Sequence, residues 1–327
     1  MSASTLHVVC PNPALDRLQV VEELHPFEVN RVTTVRSLPG GKGMIVCRGA
    51  RRLDATVTAH GFVGGQVGEV IRRGCRDLGV QDRHIGIAGE TRVTPVVIER
   101  RTGRSTVFNE RGPEVTADEE QRLLAELAAT VRPGDVVVST GSLPPGCPPD
   151  LHARIARLAL TRECTVLVDG HGEPLRRVIE DARADRPNGR LVVKPNIAEL
   201  AGVLGDPLPD LDAIVAAGRA LNDETGATFV VTLGTDGAVW IDGTDELLVD
   251  SPRVETVNAT GSGDSFLAGL SVALGRGDGP AGALALASAM GAANAASLAP
   301  DVDPALVAAL RERVTVTRIR SGQVVVG

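Results

Sequence analysis

The chain opens on an apolar run at 5–10, stopped by Pro11-Asn12-Pro13. Apolar and polar residues then alternate at about 16–21 and 32–38. A period of two marks half-exposed strands, so these segments are expected to pair antiparallel. A similar pair lies at 94–100 and 105–109, and the short turn at Thr102-Gly103 predicts a β-hairpin. Between the two pairs the spacing predicts a helix at 44–53, a strand at 57–62 and a helix at 67–78. After Pro113 the rhythm becomes regular. Helices at 117–130, 149–161, 173–184 and 213–224 alternate with buried-type strands at 135–139, 165–168, 191–194 and 228–232. That alternation predicts βαβ units and a parallel sheet covered on both faces. A small hairpin is expected at 239–242 and 246–249, then helices from Ser262 and over 281–298.

The pattern divides the chain. Residues 1–13, 38–91 and 111–327 read as an α/β core, and 14–37 and 92–110 as all-β insertions. Their shared character predicts one small sheet built from both, a lid over the ligand edge of the main sheet. An exposed lid edge is also where a second copy would pair, giving a homodimer.

Composition narrows the function. The charge sum is −7, which disfavours a basic nucleic-acid surface, and 2% aromatics disfavours base stacking. Five cysteines without a CxxC pair read as free, buried thiols in a reducing cytoplasm. The start of the sequence lacks the basic and apolar regions of a signal peptide. The uncharged stretch 279–300 is long enough to span a membrane, but it is mostly Ala, Gly, Ser and Asn, so a tightly packed internal helix is expected. The 34 basic residues include only two lysines, Lys42 and Lys194, which hints that a compact ammonium is needed at both places.

The segment Asn258-Ala259-Thr260-Gly261-Ser262-Gly263-Asp264 precedes an apolar helical run. A Gly-Ser-Gly turn at a helix start aims backbone N–H groups at one point, which makes an anion site. A carboxylate beside a bound anion is unfavourable unless it has a task. Asp264 fits a general base that takes a proton from a hydroxyl attacking a phosphoryl group. The plain alternative is a helix cap. Two common phosphate motifs fail. Lys42 is followed by Gly43, with Ser37 where a Walker loop needs its first Gly, and position 266 is Phe where GxGxxG needs Gly.

Seven segments together resemble the ribokinase superfamily, in its phosphofructokinase B branch and nearest to 1-phosphofructokinases and tagatose-6-phosphate kinases. They are Asn12-Pro13-Ala14-Leu15-Asp16, Pro39-Gly40-Gly41-Lys42-Gly43, Gly89-Glu90-Thr91-Arg92, Gly141-Ser142-Leu143-Pro144-Pro145-Gly146, Lys194-Pro195-Asn196-Ile197-Ala198-Glu199-Leu200, Thr232-Leu233-Gly234-Thr235-Asp236-Gly237-Ala238 and Gly261-Ser262-Gly263-Asp264. They run in the family's order across nearly the whole chain.

The resemblance implies a three-layer α/β/α sandwich with a β-sheet lid, and an ATP- and Mg2+-dependent kinase of a sugar or sugar phosphate. It implies that Asp264 is the base and that Gly261, Ser262 and Gly263 form the anion hole. Lys194 would reach the ATP phosphates, and Asn196 and Glu199 would hold Mg2+ through water. Thr232, Gly234 and Gly237 would line the nucleotide site. On the acceptor side, Asp16 would bind sugar hydroxyls and Gly40 and Gly41 would let the backbone approach the sugar. Ser142 would join them, with Lys42 and Arg92 as contacts to a substrate phosphate. Arg31 is read as a solvated surface charge and His171 as a loop histidine.

Three positions depart from the family. Ile45 stands where the glycine motif usually continues to Asn, and Thr94 and Val96 where sugar-phosphate kinases usually carry Asn and Lys. An aliphatic cannot pair a hydroxyl, which costs about 1–3 kcal/mol. The phosphoryl-transfer machinery is thus expected to be retained around a reshaped acceptor pocket. Two alternatives stay open: a kinase of an unphosphorylated sugar, nucleoside or cyclitol-like metabolite, and a non-catalytic nucleotide or sugar-phosphate sensor.

Overall fold

The computed structural model describes residues 4–186, 189–320 and 323–324. Among them the main sheet has twelve strands. Leu6–Cys10, buried throughout, lies between Val136–Thr140 and Val57–Val63 and runs parallel to both. Thr165–Asp169, Leu191–Val193 and Thr228–Thr232 extend the parallel sheet. Ala238–Ile241, Glu246–Val249 and Val316–Arg320 add antiparallel strands at the far side. Helices pack on both faces, each over its own apolar core. One core collects Val46, Ile71, Leu267 and Leu284; the other collects Leu127, Ile155, Ile179 and Leu221. This is the expected three-layer α/β/α sandwich.

Local chemistry sets the element ends. Ala117–Thr130 starts on a reciprocal capping box between Thr116 and Glu119. Ser262–Gly275 and Pro280–Ala295 approach closely because they carry small residues. A Cβ on Gly269 would lie 2.9 Å from the Ala287 Cα. This explains the uncharged Ala-rich stretch: it is buried against a partner helix. Among the described residues no helix is long and apolar enough to cross a membrane. That second helix ends at Ala295, short of the expected 298, because Leu298 and Ala299 turn away to pack under the small sheet.

The elements without a counterpart in the sequence reading include the helices Ile197–Leu204 and Pro304–Arg311 and the strand Val316–Arg320. Two are eight-residue helices, too short for a clear period. The strand is so rich in charge that its alternation is masked.

Four strands drawn from 14–40 and 92–107 form a second sheet. Ala14–Val21 pairs antiparallel with Thr34–Gly40 and parallel with Arg92–Glu99, which pairs antiparallel with Ser105–Val107. Leu18, Val20, Val96 and Ile98 form its small core.

The first strand lies next to two strands that lead off in opposite directions. Open α/β sheets bind ligands at such a switch point, outside the carboxyl ends of the strands. Asn12 follows one of these strands and Ser142 another, and the Asn12 Nδ2 donates to the Ser142 Oγ at 3.2 Å.

Candidate active site

A cavity of about 740 Å3 opens at this switch point, under the small sheet. Asp16, Gly41, Lys42, Arg92, Ser142 and Asp264 all line it. They come from positions up to 248 apart in the chain, 264 minus 16. Ile45, Thr94 and Val96 line it as well, all nearly buried, and Val107 is a further aliphatic in its wall. Exposed His171, in the loop before the Gly172–Ala184 helix, borders the cavity. Arg31 is exposed, as expected. The five cysteines are free, four of them buried and Cys147 half-buried at the cavity wall.

Asp264 sits in the first turn of the Ser262–Gly275 helix and is buried. Its side chain makes no capping bond; the cap is Gly261 in the left-handed region at φ 85°. Burial pushes its pKa up to about 7, the Lys42 ammonium pulling it down and Asp169 raising it. A Cβ on Gly263 would meet nothing within 4 Å. Asn258 braces the turn, accepting from the Thr260 N–H and donating to the Leu298 carbonyl, both at 3.0 Å.

The two lysines meet on one carboxylate. The Lys42 Nζ lies 3.0 Å from Asp169 Oδ2 and the Lys194 Nζ 3.1 Å from Asp169 Oδ1. Thr140 donates to the same carboxylate at 2.9 Å. Burial alone would raise the Asp169 pKa, but Lys194 and Lys42 hold it well below the usual carboxylate range. Burial works against the Lys42 ammonium, yet Asp169 and Asp264 outweigh it and keep its pKa above the ordinary lysine value. Asp169 is absent from the sequence-derived candidates. Its one signal was its place at the end of a parallel strand.

Asp16 is also buried, which raises its pKa to about 6 against the Gly41 N–H, Arg48 and Arg92. The Gly41 N–H donates to both its oxygens at 3.3 Å. Gly40 stands against Asp16. It does not line the cavity, and a Cβ there would lie 2.1 Å from the Asp16 carboxyl. Its bare backbone makes room for Asp16. Gly40→Ala is therefore expected to displace that carboxylate and raise the acceptor KM about tenfold, roughly 1.4 kcal/mol. Steady-state kinetics checks this; an unchanged KM would remove the role.

Arg92 is largely committed to backbone. Its guanidinium donates twice to the Asn12 carbonyl, at 2.9 and 3.2 Å, and once to the Glu110 carbonyl at 3.0 Å. It ties the crossings between the two sheets while edging the cavity. Arg111, unremarked in the sequence, adds a second guanidinium-bearing residue to the lining.

The remaining candidates lie along the carboxyl ends of the neighbouring strands, outside the cavity lining. Asn196 and Glu199 form a capping box: the Asn196 Oδ1 accepts from the Glu199 N–H and the Glu199 Oε2 from the Asn196 N–H, each at 2.8 Å. Glu199 thus starts its own helix through Oε2, which leaves Oε1 outside the box. Thr232 bridges to Asn196 in parallel. Gly234 and Gly237 bracket a short 3-10 turn at φ 67° and 97°. A Cβ on Gly237 would strike the Val249 carbonyl at 1.8 Å. Lys194 links this side to the cavity through Asp169.

A cavity under the small sheet, with a buried carboxylate from the first turn of a helix in its wall, is the architecture of a small-molecule enzyme. The family model for pfkB family carbohydrate kinases matches residues 8–301, and the chain belongs to that family. It is therefore a sugar kinase, a phosphotransferase. It is similar to the 1-phosphofructokinase of Xanthomonas campestris, 33% identical over 80% of this chain and 82% of the relative. The 1-phosphofructokinase of Bacillus subtilis is 30% identical over 81% and 84%. In fold, it matches phosphofructokinase-2 from Escherichia coli with a TM-score of 0.87 at 24% identity, over 94% of this chain and 98% of that one.

Proposed function

We propose that the protein transfers the γ-phosphoryl group of ATP to a hydroxyl of a ketose phosphate, as the two 1-phosphofructokinase relatives are named for. One observation carries the reading: a buried, uncapped carboxylate with a pKa near 7 lines the same cavity as Asp16, Lys42 and Arg92.

Asp16 accepts from acceptor hydroxyls and fixes their orientation. Asp264 takes the proton of the attacking hydroxyl. The amides of Gly261, Ser262 and Gly263, at the positive end of their helix, stabilise charge on the transferring group. Lys42 and Lys194, held on Asp169, add positive charge between acceptor and nucleotide. Arg92 and Arg111 face the end of the acceptor that carries its phosphate. Thr232, Gly234 and Gly237 line the nucleotide site. The free Glu199 oxygen and the Asn196 amide fit a water-mediated Mg2+ site, where the ion would neutralise phosphate charge. The small sheet acts as a lid that excludes water.

The pH profile follows. A general base works ionised, so kcat/KM is expected to rise with pH along a limb near 6–7. Asp16 and Asp264 both titrate on that limb. A flat profile from pH 5 to 9 would remove Asp264 as base.

ADP release with Mg-ATP across an acceptor panel tests the reaction. The panel holds fructose 1-phosphate, fructose 6-phosphate, tagatose 6-phosphate, ribose, nucleosides and cyclitols. Turnover of a ketose phosphate supports the reading. A second reading, an unphosphorylated acceptor, is favoured by the aliphatic wall of Ile45, Val96 and Val107 and by the backbone commitment of Arg92. Turnover of ribose, a nucleoside or a cyclitol alone would select it. Binding of ATP and acceptor without ADP release would select a sensor.

The lid's exposed apolar residues, Phe27, Val29 and Val35, suit a second copy of the chain. Phe27→Asp is expected to shift sedimentation toward monomer. An unchanged dimer, or a monomeric wild type, refutes that interface.

A further inference from the structure

Asn294 stands in the last turn of the Pro280–Ala295 helix and is fully buried. Nothing in the Ala-rich sequence around it draws attention to it. Its side chain reaches across to the anion turn and meets three groups there. The Nδ2 donates to the Thr260 carbonyl at 2.9 Å and to the Ser262 Oγ at 3.2 Å. The Oδ1 accepts from the Ser265 Oγ at 3.1 Å. A carbonyl oxygen can only accept, so the Thr260 contact fixes which way the amide faces. Asp264 lies between two of the three clients. The helices are close enough here that a Cβ on Gly291 would sit 3.2 Å from the Ser262 carbonyl.

We propose that Asn294 is a positioning residue for phosphoryl transfer, a staple that holds the Gly261-Ser262-Gly263 amides and Asp264 in register. Because its amide donates to the Ser262 Oγ, that hydroxyl's own proton points elsewhere and remains free to donate to the transferring group. The role rests on the kinase reading above. It requires no contact between Asn294 and either substrate, since Asn294 is sealed behind the turn.

The test uses Asn294→Leu, which keeps size and removes all three bonds, and Asn294→Asp. Asn222→Leu is the control: Asn222 is another buried amide, bonded to the Ala227 carbonyl at 2.8 Å and far from the turn. Asn294→Leu is expected to lower kcat about 10²-fold, the scale of a small misplacement at the reacting atoms, while the KM for Mg-ATP stays within about twofold. Asn222→Leu is expected to lower the melting temperature while keeping kcat. In Asn294→Asp an ionised carboxylate would repel the Thr260 carbonyl, whereas a protonated one can donate to it. Its activity relative to wild type should therefore rise as the pH falls from 8 to 6.

A wild-type kcat in Asn294→Leu, or a flat ratio in Asn294→Asp, overturns the staple. The kinase reading is tested by wild type alone. Should wild type refuse fructose 1-phosphate, calorimetry with MgADP and aluminium fluoride reads the turn directly. A tenfold weaker aluminium fluoride response in Asn294→Leu then supports the staple, and an unchanged one overturns it.

Discussion

Asp264→Asn is expected to lower kcat by about 10²–10⁴-fold, the usual contribution of a general base, while Mg-ATP still binds. The same substitution is expected to make the protein more stable at pH 8. Burial raises the Asp264 pKa from 3.8 to about 7. Between those values the unfolded chain has released this proton and the folded chain retains it. Stability therefore falls as pH rises through that window, and the full penalty is present above about 7. Asn carries no such penalty, so the gain should be largest at pH 8 and fade toward pH 4. Paired thermal melts and rate assays check both halves. A lower melting temperature at pH 8, or an unchanged rate, would sink the assignment.

The second large effect is at Asp169. Removing one partner of a buried ion pair leaves a charge unpaired, at about 3–5 kcal/mol. Asp169→Asn does this to Lys194, and to Lys42, whose side chain is 35% exposed and so suffers less. The Asp169 pKa is depressed, so its contribution is present at neutral pH and disappears only in strong acid, as pH falls through the folded value. Wild type and variant melts should thus differ throughout pH 5–8. There is a second readout. Asp169 raises the Asp264 pKa while Lys42 and Lys194 lower it. Without Asp169 the two ammonium groups act unopposed, and the rising limb of the rate profile should move to lower pH. Unchanged melts together with an unmoved limb would refute the network.

What could be seen in the sequence follows from distance along the chain. Strand and helix patterns are local, and Thr228–Thr232 and Ala117–Thr130 emerge with the ends their residues predict. The pairing of 14–21 with 92–99 was suggested only by shared all-β character, because register lies in no single segment. Asp264 was visible because its turn is local. Asp169 was not: as an isolated aspartate at a strand end it looks ordinary, and it acquires meaning only against lysines 127 and 25 positions away. Asn294 is hidden for the same reason, its three partners lying about thirty residues earlier in the chain. Gly40 is legible in the sequence as a place of close backbone approach, whereas the Asp16 carboxyl that occupies the space of its missing side chain lies 24 positions earlier.

The lysine pair has a practical consequence for chemical mapping. Outside Lys42 and Lys194 the chain has no side-chain amine. Both sit on the same carboxylate, and Lys194 is nearly sealed. Amine-directed crosslinkers are therefore blind over the rest of the side-chain surface, and contacts with a partner would need carboxylate or arginine chemistry to be mapped. Conversely, any side-chain amine acylation of the folded protein marks the Asp169 cluster beside the cavity. Its suppression by a bound ligand would serve as a footprint of occupancy, without a label having been introduced.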